Sequence, residues 1–208
     1  MNSFGILVGC AGGAAMTMPW IILKKWILIK REIPDKAILG IRLAGLLIVL
    51  ACAGGILGGF AGVSWKLLYL LFLLLDCSLI AVIDWEYSII PNGLILALFP
   101  LTLFFASTRT IEFHIWSSAI GLVLCFILFL FPKIFGKNVG AGDVKLAAAM
   151  GFCTGWIGCL YASVVMGALI LLFTMFQRNV PFAQRFQKLI PMGPFIAAAL
   201  LVVQSVIV

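Results

Sequence analysis

The sequence predicts an all-α membrane protein that crosses the bilayer about eight times, and three observations support this prediction. Apolar residues make up 64% of the 208 residues and charged residues only 10%, whereas a typical soluble domain is about half apolar and about a quarter charged. Many of the apolar residues form runs close to the roughly 20 residues needed to cross a bilayer. The basic residues lie mainly in alternate connections between these runs. We therefore predict a single membrane domain over residues 1–208.

The apolar runs define eight predicted spans. The first run precedes the first positive charges, Lys24 and Lys25, which is the wrong order for a cleaved signal peptide, so we expect a retained span. The sixth and seventh runs are separated only near Gly155. If these two formed one broken helix, the count would be seven and the carboxyl terminus would change sides. The predicted spans are residues 4–23, 39–61, 66–83, 91–107, 115–132, 143–154, 157–176 and 191–208.

The distribution of basic residues predicts the orientation in the membrane. With eight spans, all 14 basic residues except Lys66 and Arg109 fall on one side. The positive-inside rule makes that side cytoplasmic and places both termini on the outer side. The net charge of +7 therefore reflects topology and contact with anionic lipid, so we expect the lipid bilayer as a partner and no nucleic acid.

Cysteine and glycine patterns favour packing over chemistry. The six cysteines lie in apolar surroundings and no pair has C-x-x-C spacing, so we expect small buried side chains, no metal and no cofactor. Glycines recur as Gly54-Gly55 with Gly58-Gly59, and as Gly151 with Gly155. Small residues at such spacing let membrane helices approach closely, so we expect helix contacts there.

The most informative stretch is Gly140-Ala141-Gly142-Asp143, where a polar connection enters an apolar run. A carboxylate at the mouth of a membrane helix is costly and is a candidate functional group. Alternate glycines lack Cβ atoms, which gives another backbone room to approach. The alternative is that Asp143 caps the helix while the glycines form the turn.

A second acid, Asp84, lies at the cytoplasmic end of the third predicted span, and Pro91-Asn92 begins the fourth. The predicted topology puts Asp84 and Asp143 on one membrane face at a similar depth. Two carboxylates held together do not both ionise easily, so one can act as a base and the other as an acid. The alternative is two unrelated aspartates solvated by headgroup water.

Three motifs occur in order: D-x-x-x-x-x-x-P-N at 84–92, G-x-G-D-x-K at 140–145, and I-P-x-G-P-F at 190–195. Over about residues 66–208, the sequence resembles the type IV prepilin peptidases, which are membrane aspartic peptidases of the GxGD class. The resemblance implies that Asp84 and Asp143 are catalytic. It also implies that prepilins or pseudopilins with short basic leaders are cut at the cytoplasmic face of a prokaryotic inner membrane.

One departure from the family concerns the first connection. Many bacterial members carry a cytoplasmic domain with paired C-x-x-C motifs between their first two spans, associated with N-methylation of the product. Here that connection is predicted to be only Lys24–Lys36, without cysteine. We therefore expect a peptidase without N-methyltransferase activity.

Four further residues are candidates for substrate binding. Gly140 and Gly142 would give an extended substrate backbone room to approach. Glu86 would attract the basic leader, or is simply solvated. Lys145, close after Asp143 in sequence, would stabilise that carboxylate's charge or bind an acidic substrate group, or would anchor the helix at lipid headgroups.

Two other titratable residues are expected to be non-catalytic. Asp76 lies eight residues before Asp84 and therefore about 12 Å deeper along the helix, too far to share one water. We expect Asp76 to be a protonated hydrogen-bonding group or a partner of Arg42. His114 lies in an outer connection, far from both aspartates, so it is not expected to act as the base.

Two other functions remain open. A small transporter or channel would use the acids as proton or cation sites, but it predicts acids at the bilayer midplane and pseudo-symmetric halves. The sequence instead places Asp84 and Asp143 at one membrane face and shows no symmetry between its halves. An inactive scaffold for pilus assembly is compatible with the sequence.

Overall fold

The protein is built from α-helices. The computed structural model describes residues 3–34, 40–106, 115–134, 140–176 and 191–207. Within these ranges there is no β-strand, which confirms the predicted all-α class. The helices are α1 (Ser3–Ala15), α2 (Thr17–Lys30), α3 (Gly40–Ala61), α4 (Trp65–Tyr87), α5 (Asn92–Phe104), α6 (Ile115–Ile134), α7 (Ala141–Phe176) and α8 (Gly193–Ile207).

Five helical segments of the described chain are long and apolar enough to cross a membrane, which confirms a polytopic membrane protein. Two shorter apolar helices, Asn92–Phe104 and Gly193–Val206, accompany them. The predicted count of about eight spans is not confirmed and stays a prediction. The five long segments are Ser3–Lys30, Ala44–Ala61, Trp65–Tyr87, Ile115–Pro132 and Ala141–Phe176.

The amino-terminal helical segment, α1 and α2 together, extends further along the chain than the first predicted span. The predicted first span ended at residue 23 and was followed by a loop from Lys24, but α2 continues to Lys30. The predicted boundary is wrong because Lys24 is only 1% exposed and lies inside the bundle. A single residue, Met16, separates α2 from α1, and Pro19 in the first turn of α2 has no backbone N–H to continue the helical hydrogen bonds.

Glycines bring helix backbones into direct contact, as the sequence predicts. A Cβ atom at Gly9 would overlap the carbonyl oxygen of Gly54, and one at Gly5 would overlap that of Gly58. Gly151 of α7 meets the backbone of α6 in the same way. The pairs α1–α3 and α6–α7 therefore pack at a distance that only glycine permits.

The helix α7 is broken at Gly155, where φ is 74° and ψ is 179°. A side chain would be strained in this conformation, which glycine adopts readily. Side chains from two other helices hydrogen-bond to the backbone at the break. Ser117 Oγ on α6 accepts from the Trp156 N–H at 3.5 Å, and Gln204 Nε2 on α8 donates to the Cys153 carbonyl at 2.5 Å. The structure thus has a break at Gly155 inside one helical segment, and the prediction that its two halves are separate sixth and seventh spans stays a prediction.

The helix α4 lies at the centre of the described structure. It packs against α1, α2, α3, α5 and α8, and Leu70, Leu73, Leu79 and Ile80 on it are fully buried. The carboxyl-terminal helix α8 packs against both α4 and α7. Since α4 carries Asp84 and α7 carries Asp143, α8 links the two helices that bear the predicted dyad.

Candidate active site

Asp84 lies in the last turn of α4 and is only 5% exposed. Its Oδ2 atom accepts a hydrogen bond of 2.9 Å from the backbone N–H of Gly193. Its carbonyl oxygen accepts one of 2.8 Å from the N–H of Ser88, whose left-handed conformation (φ 54°, ψ 39°) ends the helix. The carboxyl group is therefore held in one orientation at the end of α4.

Gly193 is the first residue of α8, so its N–H points out of the helix where a negative charge is favoured. A Cβ atom at Gly193 would lie 2.7 Å from Asp84 Oδ2 and 2.9 Å from Asp84 Cγ, closer than real Cβ contacts. Only glycine fits here without a shift. The sequence marked residues 190–195 as a family signature but did not assign this contact.

Asp143 lies in the first turn of α7 and is half-buried. It has a hydrogen bond with the backbone of Gly140 and lies within electrostatic range of Asp84. The structure thus brings the two predicted catalytic residues, which are 59 positions apart in the sequence, to the same end of the helix bundle.

The two motif glycines have distinct neighbours. A Cβ atom at Gly140 would lie 2.7 Å from Asp143 Oδ2, so glycine leaves the carboxylate its place. A Cβ atom at Gly142 would lie 3.1 Å from the Cβ of Ile90, in the connection between α4 and α5. Gly142 therefore lets this connection pack on α7. The role of both glycines in admitting a substrate backbone stays a prediction.

Glu86 forms an ion pair with Lys24. Its Oε2 atom lies 2.7 Å from Nζ of Lys24, which donates a hydrogen bond to it. The side chain of Glu86 is 21% exposed, so the carboxylate is reached from outside but is already paired within the protein. Lys145 is exposed, which agrees with each of its three predicted roles. His114 lies outside the described residues.

Asp76 lies apart from this site, in the wall of a cavity of about 760 Å³ between α2, α4 and α5. The cavity is lined mainly by apolar side chains, with Lys30 and Arg31 at the end of α2. Asp76 is 8% exposed, and its Oδ2 has no hydrogen-bond partner among the described residues. The side chain of Arg42 lies outside the described residues, so the predicted pairing stays a prediction.

The unsatisfied Asp76 carboxyl leads to a stability prediction. Replacing Asp76 by leucine removes a buried polar group whose desolvation is uncompensated, which is worth about 1–3 kcal/mol. Asp76→Leu is therefore expected to keep catalytic activity and to melt in detergent at the same or a higher temperature than the wild type. A clearly lower melting temperature would show that Asp76 has a stabilising partner, as the sequence predicts with Arg42.

The cysteines are free and mostly buried. Cys77, Cys125, Cys153 and Cys159 are buried, as predicted, but the expectation is wrong for Cys52, which is exposed on α3. In the part of the chain that the structure describes, no group of three or more His, Cys, Asp or Glu side chains is arranged to hold a metal ion. The expected absence of a metal or cofactor stays a prediction.

A family model for the type IV leader peptidase family matches residues 67–176, more than half of the chain. The chain belongs to the type IV leader peptidase family. The matched region contains both aspartates and the G-x-G-D motif, while Gly193 and Lys24 lie outside it. Membership confirms the resemblance seen in the sequence.

Two curated proteins that are similar to this chain are both named "Prepilin leader peptidase/N-methyltransferase". The protein from Stutzerimonas stutzeri is 31% identical over 169 residues, covering 74% of this chain and 55% of the relative. The one from Pseudomonas aeruginosa is 28% identical over 173 residues, covering 79% and 58%. The chain thus matches somewhat over half the length of these relatives. No solved structure shows a significant match.

Proposed function

We propose that this protein is an aspartic endopeptidase that removes the basic leader from type IV prepilins or pseudopilins at the cytoplasmic face of a prokaryotic inner membrane. The observation that carries the proposal is the electrostatic interaction between Asp84 and Asp143, which come from two different helices. Family membership and the names of the relatives support a prepilin as the substrate.

The proposed reaction uses one water molecule and two carboxyl groups in opposite protonation states. The ionised carboxylate removes a proton from the water, and the water oxygen bonds to the carbonyl carbon of the scissile peptide. The protonated carboxyl donates its proton to the carbonyl oxygen. The carbon–nitrogen bond then breaks as the first carboxyl gives the proton it took from water to the amine of the stem, while the second, now ionised, takes a proton from a hydroxyl of the intermediate and the dyad returns to its starting state.

Both acids lie beside a helix amino terminus. Asp84 accepts the Gly193 N–H at the start of α8, and Asp143 lies in the first turn of α7, and both positions favour a negative charge. Burial opposes the ionisation of both carboxyls at once. We therefore propose that the dyad holds one proton, so that one carboxyl acts as the base and the other as the acid.

Incubation of the purified protein with a prepilin in detergent tests the proposal. We expect a shortened product on a gel, and its amino-terminal sequence should begin at the hydrophobic stem. No cleavage of any prepilin, under conditions in which a known prepilin peptidase cuts it, contradicts the proposal.

The proposed orientation places the dyad in the cytoplasm and both termini outside, as the basic residues indicate. Single cysteines at Lys30 and Arg109, each in a cysteine-free background, test it in intact cells. The cysteine at 30 should resist an impermeant thiol reagent, and the one at 109 should react. The reverse labelling pattern would place the proposed active site on the outer side of the membrane and contradict the proposed orientation.

We further propose that the protein lacks N-methyltransferase activity. The connection between α2 and α3 spans only residues 31–39 and contains no cysteine. Mass spectrometry of the cleaved product, with S-adenosylmethionine present, should therefore find a free amino terminus. Transfer of a methyl group by the purified protein would contradict this part of the proposal.

A further inference from the structure

Lys24 is a fully buried cation beside the end of α4. It is 1% exposed, and its Nζ lies 2.7 Å from Oε2 of Glu86. The same Nζ lies 5.7 Å from the ring centre of Trp20 and 6.0 Å from that of Tyr87, within the range of cation–π attraction. The ammonium group is therefore enclosed by α2 on one side and by the last turn of α4 on the other.

Burial makes this ion pair sensitive to its geometry. The Lys24 ammonium is out of water, whereas the side chain of Glu86 is 21% exposed. A buried charge keeps a favourable interaction only when it is closely and correctly paired, and removing the carboxylate partner of a buried lysine is destabilising. The Lys24–Glu86 contact thus ties α2 firmly to the carboxyl-terminal turn of α4.

That turn also carries Asp84, two residues before Glu86 and four before Ser88, where the helix ends. The Gly193 N–H holds the Asp84 carboxylate from the side of α8, and Lys24 holds the same turn from the side of α2. The final turn of a helix lacks part of the intrahelical hydrogen bonding and frays most readily. Contacts from both sides offset this weakness.

We propose that Lys24 is a positioning residue for the reaction, which fixes the Asp84 turn through Glu86 and does not itself contact the substrate. The inference rests on the proposed function. It gives Glu86 a role in the protein's own structure, in place of the predicted attraction of the leader.

The test is the steady-state cleavage of a prepilin by Lys24→Met, with Lys25→Met as the matched control. Lys25 is the next residue on the same helix and is exposed, so its variant should match the wild type. Misplacement of a catalytic group by about 1 Å costs roughly 100-fold. We expect the kcat of Lys24→Met to fall roughly 10- to 100-fold, while KM stays within about 3-fold.

Two further variants separate positioning from stability. Lys24→Arg keeps the ion pair and should recover most of the lost kcat. The double variant Lys24→Met/Glu86→Gln removes both charges of the pair, so no carboxylate is left without its partner, and its melting temperature should match that of the wild type while its kcat stays low. A double variant with wild-type kcat would show that the pair only balances charge and would overturn the inference.

The outcomes also separate this inference from the proposed function. A wild-type protein that leaves every prepilin intact contradicts the proposed function. A wild-type protein that cleaves beside an equally active Lys24→Met contradicts the role of Lys24 alone. A rise in KM for Glu86→Gln with unchanged kcat would instead return Glu86 to binding the leader and would also overturn the inference.

Discussion

Purified protein carrying Asp84→Asn or Asp143→Asn is expected to leave a prepilin uncut while remaining folded. Asparagine has the size of aspartate but can neither remove a proton from water nor donate one as an acid. Loss of a general acid or base lowers the rate about 10²- to 10⁴-fold. In the proposed reaction one aspartate takes a proton from water and the other gives one to the carbonyl oxygen, so each variant removes one of these two transfers. Gel mobility and amino-terminal sequencing of the product measure the loss.

The structure explains why these variants should stay folded. Asparagine at position 84 retains a side-chain oxygen that accepts the Gly193 N–H, so the contact between α4 and α8 persists. Asp76→Asn, an acid-to-amide change on the same helix outside the dyad, is the matched control and should cleave normally. Near-normal cleavage by either dyad variant would remove the proposed mechanism. An inactive Asp76→Asn beside an active Asp84→Asn would transfer the catalytic role to Asp76.

The second large effect is expected at Gly193. In Gly193→Ala the new methyl group would lie 2.7 Å from Asp84 Oδ2, so either the carboxylate or the start of α8 must move. A shift of about 1 Å in a catalytic group costs roughly 100-fold. We therefore expect cleavage to fall by about that factor while the protein remains in the membrane fraction and melts cooperatively.

Gly167→Ala is the matched control for this change. A Cβ atom at Gly167, on α7, would meet nothing within 4 Å, and alanine is the better helix former by about 0.5–1 kcal/mol. This variant should be fully active and at least as stable as the wild type. A fully active Gly193→Ala would show that the site accommodates the methyl group without displacing the Asp84 carboxyl and would contradict this prediction.

The sequence predicted the class of fold and the meeting of the two acids for a physical reason. A long apolar run in a membrane must form a helix, because its backbone groups can hydrogen-bond only within the segment. The pattern of basic residues placed Asp84 and Asp143 on the same side of the membrane. The position of the break near Gly155 was also predicted, as the boundary between the sixth and seventh apolar runs. These signals are local in the sequence, or depend only on how many basic residues fall on each side of the membrane.

The contacts that hold Asp84 were not predictable in this way. Gly193 lies 109 positions after Asp84, its partner, and Lys24 lies 62 positions before Glu86, its partner, and no local pattern indicates that either pair meets. Lys24 was assigned to a loop because lysine beside an apolar run usually faces solvent. Its burial depends on Glu86, a partner that only the packing of α2 against α4 supplies.

The hydrogen bond between Gly193 and Asp84 also bears on biosynthesis. A nascent chain that has inserted α4 and the first half of α7 already contains both acids of the proposed dyad. The Asp84 carboxyl still lacks its backbone donor, because that donor belongs to α8, at the carboxyl-terminal end of the described chain. If the dyad acts as proposed, cleavage would begin only after α8 has docked against α4 and α7, so synthesis of the last described helix would complete the site.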